Sequence, residues 1–544
     1  MNSIFIPVVI ASIVVWGIAF YFRSRFLLHM MQLEGYKNKN FLNWINEFKH
    51  RAFYSKLNLT TFLALILIIL ALVTKNGKLV GVSALSWCAF IMLGIKFKKE
   101  KVKKDLVYTE RAKRLMTTNI IVNIVLIIIA IIILVLTVEN TYFLYLSALL
   151  FITVTYYLQP YVLYLSNVIV APIEKGINQK FFDMAHDKVR SFDKLKIVGI
   201  TGSYGKTSTK FLTSTILEEK YNVLKTPESY NTPMGVSKVI NNDLNKEHEV
   251  FVVEMGARNI GDIREMAELA GPKIGIITSI GPTHLETFVN IENIMKTKYE
   301  LIEELPADGI AIFNYDNKYI KKLADKTFKE KILYGMEDIE NLDLYATDIE
   351  VSETGSTFKL GDKEGNSIIC STQLLGKHNI ANLLAGAAVA RALGLTFEEI
   401  ASGISKVEAV PHRLQLINPG TGVIIIDNAF NSNPISSKAA LEVLGQFKEG
   451  RKIIITPGMV ELGDEEAEAN KEFGRNIAKT CDFAILVGKN RTKPIQDGIN
   501  EMGFSKENLF VVASLDEATK ALQSIVRAKD VVLFENDLPD NYNE

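Results

Sequence analysis

Residues 196–210 read KIVGITGSYGKTSTK, an apolar run that passes directly into a glycine loop ending in Gly205, Lys206 and Thr207. These residue types suit the phosphates of a nucleotide. Glycine and small residues around Gly202, Ser203, Tyr204 and Gly205 let successive backbone N–H groups converge on an anion. Lys206 adds a point charge, and Thr207, followed by Ser208 at the start of a helix, offers a hydroxyl to Mg²⁺, so a nucleotide with Mg²⁺ is the expected ligand pair. The loop is shorter than the usual form, which wants a glycine where this chain has Ile200. A glycine turn that merely follows a strand is the plain alternative.

Further residues narrow that choice. Glu254 ends the apolar segment VFVVEMGA, and a carboxylate at the C-terminal end of a parallel strand points into the ligand crevice, where it suits Mg²⁺. His284 follows another such run in ITSIGPTHLE. A lone histidine is more often structural, but this one shares an expected site with Glu254 and Thr207. In MKTKYELIEEL the helical spacing turns either Lys296 or Lys298 inward. A buried lysine needs a carboxylate partner or a chemical modification.

The elements that must position these groups alternate. Short β-branched runs at Ile197–Ile200, Val250–Val253, Ile274–Ile277 and Ile310–Phe313 are separated by helical stretches such as Ser208–Lys220 and Asp262–Leu269. That alternation predicts an α/β domain with a largely parallel sheet. A second set begins near Pro411, with strands expected at Val423–Ile426, Lys452–Thr456, Phe483–Val487, Leu509–Val512 and Val531–Phe534. It reads as a separate doubly wound domain, and a cleft between two such domains commonly holds a ligand.

The first third of the chain has another character. Apolar runs at Ile4–Phe20, Leu59–Thr74, Leu79–Ile95, Asn119–Val138 and Tyr142–Val170 predict about five membrane spans. No basic segment precedes the first run and no small-residue cleavage site follows it, so an anchor is favoured over a signal peptide. Positive charge gathers in the loop holding Arg23, Arg25, Lys37, Lys39, Lys49, Arg51 and Lys56, and in the loop from Lys96 to Arg114. Both should face the cytoplasm, which leaves the N-terminus outside and the α/β half inside, where ATP is available. The aromatic and basic stretch Leu33–Phe53 suits a helix lying on the membrane or a solvated loop. Asn119 and Asn123 suit either a lipid-headgroup site or bonds to a neighbouring helix.

Composition sets limits on the whole. Over 544 residues the formal net charge is zero and 48% are hydrophobic, which argues against a nucleic-acid partner and against disorder. The cysteines, Cys88, Cys370 and Cys481, lack the spacing of a zinc site or a disulfide framework and fit a reducing cytoplasm.

In order along the chain stand GITGSYGKTSTK, VVEMGARNIGDI, TSIGPTHLE, MKTKYELIEE, LLGKHNIANLLAGAAVA, VPHRLQ and IIDNAFNSNPISSKAAL. With these motifs the chain resembles the Mur ligase superfamily of ATP-dependent amide-bond ligases, and most of all its MurF-type branch. The apolar runs place a multi-span membrane region over residues 1–170, and apolar residues at helical spacing among charges place an amphipathic linker helix over 171–195; the resemblance implies a central P-loop ATPase domain over 196–408 and a C-terminal Rossmann-like α/β domain over 409–544. It implies that Lys206 and the loop amides hold the β- and γ-phosphates, Thr207 and Glu254 a first Mg²⁺, and Glu254 and His284 a second. Lys298 matches a lysine that is often carbamylated beside that second metal. Asn382 matches an adenine contact, Arg413 a γ-phosphate contact, and Asp427 a nucleotide contact from the last domain. Asn231 and Thr232, in PESYNTPMGV, fall in the substrate segment. The implied reaction joins an amine such as D-alanyl-D-alanine to a peptide carboxylate through an acyl phosphate.

MurF-type enzymes normally begin with a soluble domain that binds a UDP-sugar peptide, where this chain has apolar runs. The ending FENDLPDNYNE also lacks the branch's glycine- and arginine-containing segment. The acceptor is therefore open between a UDP-linked or lipid-linked cell-wall peptide and a different substrate, as in membrane-associated poly-γ-glutamate synthases. A non-enzymatic scaffold with a ligase fold is the third reading.

Overall fold

A computed structural model describes residues 2–74, 77–95, 105–228, 230–283, 285–352, 355–430, 432–460 and 462–538. The roles expected of His284, of Lys75 and of the lysines within 96–104 lie outside the described residues. The chain divides into two compact units between Asn178 and Gln179.

The first unit is helical: α1 (Asn2–Leu33), α2 (Asn38–Glu47), α3 (Lys49–Ala52), α4 (Ser55–Thr74), α5 (Gly77–Gly94), α6 (Glu110–Thr137), α7 (Thr141–Tyr157) and the part of α8 (Gln159–Arg190) before Gln179, the rest of that helix belonging to the second unit. Among the described residues three stretches, Ile6–Leu33, Ser55–Thr74 and Glu110–Thr137, are long and apolar enough to cross a membrane, or up to four if α7 and α8 count as one broken span. The apolar part of α5, Val80–Gly94, is shorter. The continuous helix expected over Tyr142–Val170 is instead bent by 74° between α7 and α8. Pro160 stands at the second position of α8, where its missing N–H costs a new helix nothing but would break a continuing one.

Polar groups in this unit pair with each other. Asn119 donates to Ser24 Oγ at 3.2 Å and accepts from Gln159 Nε2 at 2.9 Å, which is the helix-to-helix bonding that intramembrane amides favour. Phe41 and Trp44 of α2 are buried among Leu27, Met31 and Leu115. The aromatic face of the 33–53 stretch thus packs inward onto the helices and is not laid outward.

The second unit carries two sheets. The larger contains β1 (Lys196–Thr201), β2 (Val223–Lys225), β3 (Val250–Glu254), β4 (Ile274–Ile277), β5 (Ile310–Asn314), β6 (Lys331–Gly335), β7 (Leu344–Ser352), β8 (Gly355–Asp362) and β9 (Ser367–Thr372), in the order β2-β3-β1-β4-β5-β6-β7-β8-β9. It is parallel from β2 to β7 and antiparallel across β7, β8 and β9. The run Val250–Val253 is wholly buried, as expected of a strand covered on both faces. Val250 and Val252 join one apolar cluster while Phe251 and Val253 join the other, because successive side chains leave a strand on opposite faces.

The smaller sheet contains β10 (Gln415–Ile417), β11 (Ile424–Asn428), β12 (Lys452–Thr456), β13 (Phe483–Val487), β14 (Leu509–Val512) and β15 (Val531–Glu535), in the order β10-β11-β15-β12-β13-β14. Only β10 runs antiparallel to its neighbour. In both sheets the C-terminal strand ends face the loops that carry the candidate site residues, the usual ligand edge of a doubly wound fold.

Candidate active site

Strand β1 delivers the chain into the glycine loop, and α9 (Lys206–Leu217) leaves it. Gly202 and Gly205 have φ of +153° and +80°, and the left-handed turn at Gly205 is one that a side chain rarely adopts. The loop is clasped by the segment after β4. Ser203 N donates to Ser279 O at 2.7 Å and Tyr204 N to Ser279 Oγ at 2.9 Å, while the Tyr204 hydroxyl donates to Pro282 O at 2.7 Å. Two of the amides expected to face a phosphate are therefore committed to the protein. The N–H groups opening α9, from Lys206 to Ser208, have no acceptor within the helix and form the anion-facing end.

Glu254, at the end of β3 and 1% exposed, gathers the rest. Its Oε1 accepts from Thr207 Oγ1 at 3.1 Å and from Asn231 Nδ2 at 2.9 Å, and its Oε2 pairs with Lys210 Nζ at 3.1 Å. Lys210 is fully buried and also donates to the Glu228 carbonyl. Lys206 Nζ folds back onto Gly202 O at 2.7 Å. Burial lowers the pKa of Lys206, Glu254 opposes that shift, and Arg413 adds to it. Burial likewise lowers Arg413, against the pull of Glu254. Lys206, Lys210 and Arg413 thus surround one carboxylate, leaving a surplus of positive charge suited to an anionic ligand.

Arg413 comes from beyond the larger sheet and lies 4.2 Å over the Phe430 ring. On the same side, Ile435 approaches Gly281, where an added Cβ would stand 2.7 Å from Tyr204 and 3.3 Å from Ile435. Asn382, on the helix Lys377–Ala392, accepts from Thr209 Oγ1 at 3.1 Å and sits against Gly205. The Lys298 side chain is 3% exposed and makes no hydrogen bond or ion pair among the described residues, and the Phe288 ring lies 5.9 Å away. Burial pushes its ammonium down to about 7, with Lys206 lowering it further and the carboxylates of Asp262 and Glu300 opposing the shift. Lys296 is exposed.

Residues 200–390 match the Mur ligase middle domain, and residues 412–535 match the Mur ligase, glutamate ligase domain. The UDP-N-acetylmuramoyl-tripeptide--D-alanyl-D-alanine ligase of Synechocystis sp. is 31% identical over 343 residues, which cover 62% of this chain and 71% of that protein. The chain belongs to the Mur ligase family. The enzyme of the same name from Escherichia coli is 33% identical over 302 residues, 55% of this chain and 66% of that protein. The chain thus spans just under two thirds of that relative's length. The MurF ligase of Thermotoga maritima, solved in complex with ADP, superposes with a TM-score of 0.59 at 26% identity, covering 66% of this chain and 80% of that one.

Against this Mur ligase frame, the loop, Glu254, Asn231, Asn382 and Arg413 come together. Thr232 caps the helix Pro233–Asn242 by accepting from Gly235 N. Asp427 Oδ2 bonds His412 Nδ1 at 2.7 Å. Lys210, Thr278 and Ser279 were not singled out by sequence reasoning. The spacing did carry a signal for Lys210, which lies one helical turn after Lys206 and so shares its face.

Proposed function

We propose that the chain is an ATP-dependent, ADP-forming amide-bond ligase of MurF type, working through an acyl phosphate. The observation that carries this reading is the cluster of Thr207, Lys206, Lys210 and Arg413 around Glu254, built from both α/β domains. The donor set fits Mg²⁺. That ion keeps several of its waters and relies on a hydroxyl, one or two carboxylates and substrate phosphates, and the Thr207 hydroxyl and the Glu254 carboxylate stand 3.1 Å apart. Bound there, Mg²⁺ would neutralise phosphate charge and orient the γ-phosphoryl group.

The chain's own residues do the remainder. Lys206 and the opening amides of α9 hold the phosphates, Lys210 and Asn231 fix the carboxylate of Glu254, and Arg413 meets the γ-phosphate. An oxygen of the acceptor carboxylate attacks the γ-phosphorus and ADP leaves. The amine nitrogen then attacks the acyl carbon, phosphate leaves, and the nitrogen gives up a proton. Lys298, pushed down to about 7 by burial and without a side-chain hydrogen bond or ion pair among the described residues, is able as a neutral amine to add CO₂ and lose a proton, forming a carbamate within the same site. Asn382 and Asp427 serve the nucleotide. His284 and Thr232 remain in the proposal as a metal ligand and a substrate-segment residue.

The helical unit is proposed as a multi-pass anchor with the ligase domains in the cytoplasm. Supporting this, the most apolar window of α6 is only 6% buried, and Ile121, Ile128, Ile132 and Leu136 face outward uncovered, as lipid-facing side chains do. D-alanyl-D-alanine joined to a UDP-linked cell-wall peptide is the first substrate pair. A lipid-linked peptide is the second, favoured because apolar helices stand ahead of residue 200, where the family match begins. Phosphate release by purified full-length protein with ATP, Mg²⁺ and each acceptor in turn tests this. Release with a peptide acceptor and D-alanyl-D-alanine, lost in Lys206→Ala by at least ~100-fold, supports the proposal. Release with glutamate alone would move it to the poly-γ-glutamate class, and none with any acceptor would leave a scaffold.

A further inference from the structure

The helical unit contains a cavity of about 500 Å³ lined by Lys49, His50, Phe53, Asn58, Tyr157 and Tyr161, with Ile45 and Ser55 completing it. That volume lies in the range of small-ligand sites. We infer that it binds the phosphate-bearing headgroup of a lipid, an inference that rests on the membrane placement proposed above.

The polar residues divide into two sets. The Tyr157 hydroxyl donates to Asn58 Oδ1 at 3.1 Å, and Asn58 Nδ2 donates to Phe53 O at 2.9 Å, so these groups shape the wall. Lys49 and His50 are exposed, and their side chains make no hydrogen bond or ion pair among the described residues. Their nitrogen donors remain available to an anion. Two long helices also begin at this place, α4 at Ser55 and α8 at Gln159, and each brings the positive end of its dipole.

A buried cation stands behind the wall. Arg23 is 5% exposed and donates to the carbonyls of Tyr156 at 2.9 Å, Tyr157 at 3.0 Å and Ala52 at 3.2 Å. Its guanidinium lies 5.8 Å from the Phe53 ring centroid, and no carboxylate pairs with it among the described residues. A buried cation held only by carbonyls keeps its full charge and raises the potential beside it. It also fixes Tyr157 at the break between α7 and α8.

The rest of the lining favours a lipid over a free anion. Phe53 lies 5.0 Å from Tyr157 and 6.3 Å from Tyr161, centroid to centroid. Such an aromatic group suits the level where headgroup meets hydrocarbon. Leu59 and Phe62 on α4 and Leu165 on α8 are exposed, providing apolar flanks along which acyl chains could run. A site with cations at one end and uncovered hydrocarbon beside it matches an amphiphile.

Native mass spectrometry of the full chain in an uncharged detergent tests the inference, with three probes: dioleoyl phosphatidic acid, dioleoylglycerol and inorganic phosphate. Phosphatidic acid should bind, and Lys49→Ala with His50→Ala should weaken it roughly tenfold or more. Dioleoylglycerol, with the same tails and no phosphate, should bind no better to wild type than to the variant. Inorganic phosphate at millimolar concentration should not displace the lipid. Equal binding of phosphatidic acid to wild type and variant overturns the inference, as does Lys49- and His50-dependent binding of phosphate alone, which would mark a free-anion site. Should the alanine pair fail to fold, Lys49→Gln with His50→Gln gives the same readout. Carbonate extraction of membranes reports on the anchor separately: a chain that washes off overturns the membrane reading, and one that stays without selective lipid binding overturns only this site.

Discussion

Glu254 takes three partners with two oxygens, and the consequence is clearest in Lys210. That lysine is fully buried and pairs with Glu254 at 3.1 Å, its one carboxylate partner among the described residues. Breaking such a pair from one side leaves a buried charge uncompensated, at a cost of about 3–5 kcal/mol. Glu254→Gln is therefore expected to lower denaturant stability by that order and to abolish ATP turnover. Adding Lys210→Met should recover much of the stability without the turnover, a divergence that paired unfolding and phosphate-release measurements would read. A second buried carboxylate gives a pH signature. Burial raises Glu535 from its ordinary 4.5 to about 7, opposed by hydrogen bonds from Ser432 and from Asn428, the latter at 2.7 Å. Because the folded pKa is the higher, its contribution is complete below about 4.5 and is lost as pH rises through about 7. At about 1.4 kcal/mol per unit the change amounts to a few kcal/mol. The wild type should lose melting temperature between about pH 5 and 8 more steeply than Glu535→Gln; parallel profiles would contradict this. The expectations for Lys206 and Thr207 could be drawn from sequence because they rest on neighbours along the chain. Lys210 was not, because its partner is 44 residues away.

Among the elements, the turn from β1 to α9 is the most constrained. A Cβ on Gly202 would lie 2.1 Å from Thr278 Oγ1, and one on Gly205 would lie 2.7 Å from Asn382 Oδ1. Gly202→Ala combines that clash with an unfavourable φ, so about 1–3 kcal/mol of strain is expected. Since Thr278 also donates to Tyr204 O at 2.6 Å, relieving the clash would loosen the clasp on the loop. Nucleotide affinity, measured by calorimetry, should fall more than global stability; equal falls would show that the glycine matters only to folding. The parallel core was readable from short β-branched runs between helices. The antiparallel β7, β8 and β9 were not, because LYATDIEVS and GSTFKLGD mix polar and apolar residues as an edge hairpin requires and so lack the continuous apolar signal. The break between α7 and α8 was hidden for a related reason: hydropathy is continuous through residue 158, and only Pro160 marks the change of direction.

For the whole molecule, Arg413 matters because it reaches the loop from the second α/β domain. Its electrostatic coupling to Glu254 and Lys206 makes completion of the site depend on the meeting of the two domains. Arg413→Ala should leave nucleotide binding nearly intact while turnover falls by about 100-fold or more. Loss of affinity in step with turnover would place Arg413 in ground-state binding. The helical unit has its own apolar clusters, around Leu146 and around Leu163, and the ligase unit has separate ones. Each unit therefore buries its own hydrophobic surface.

What the sequence by itself determined was local: a glycine loop between a strand and a helix, carboxylates at strand ends, and long apolar runs ahead of them. Those features are written in adjacent residues and in short periods. The tertiary structure alone decided which partners Glu254 takes, which lysine of MKTKYELIEEL is buried, and that Asn231 turns to Glu254 while Thr232 caps a helix. It also decided that Phe41 and Trp44 fold inward and that Lys49, His50 and Tyr157 meet around one cavity. Such pairings join residues far apart along the chain, and only the packing of elements brings them within bonding distance.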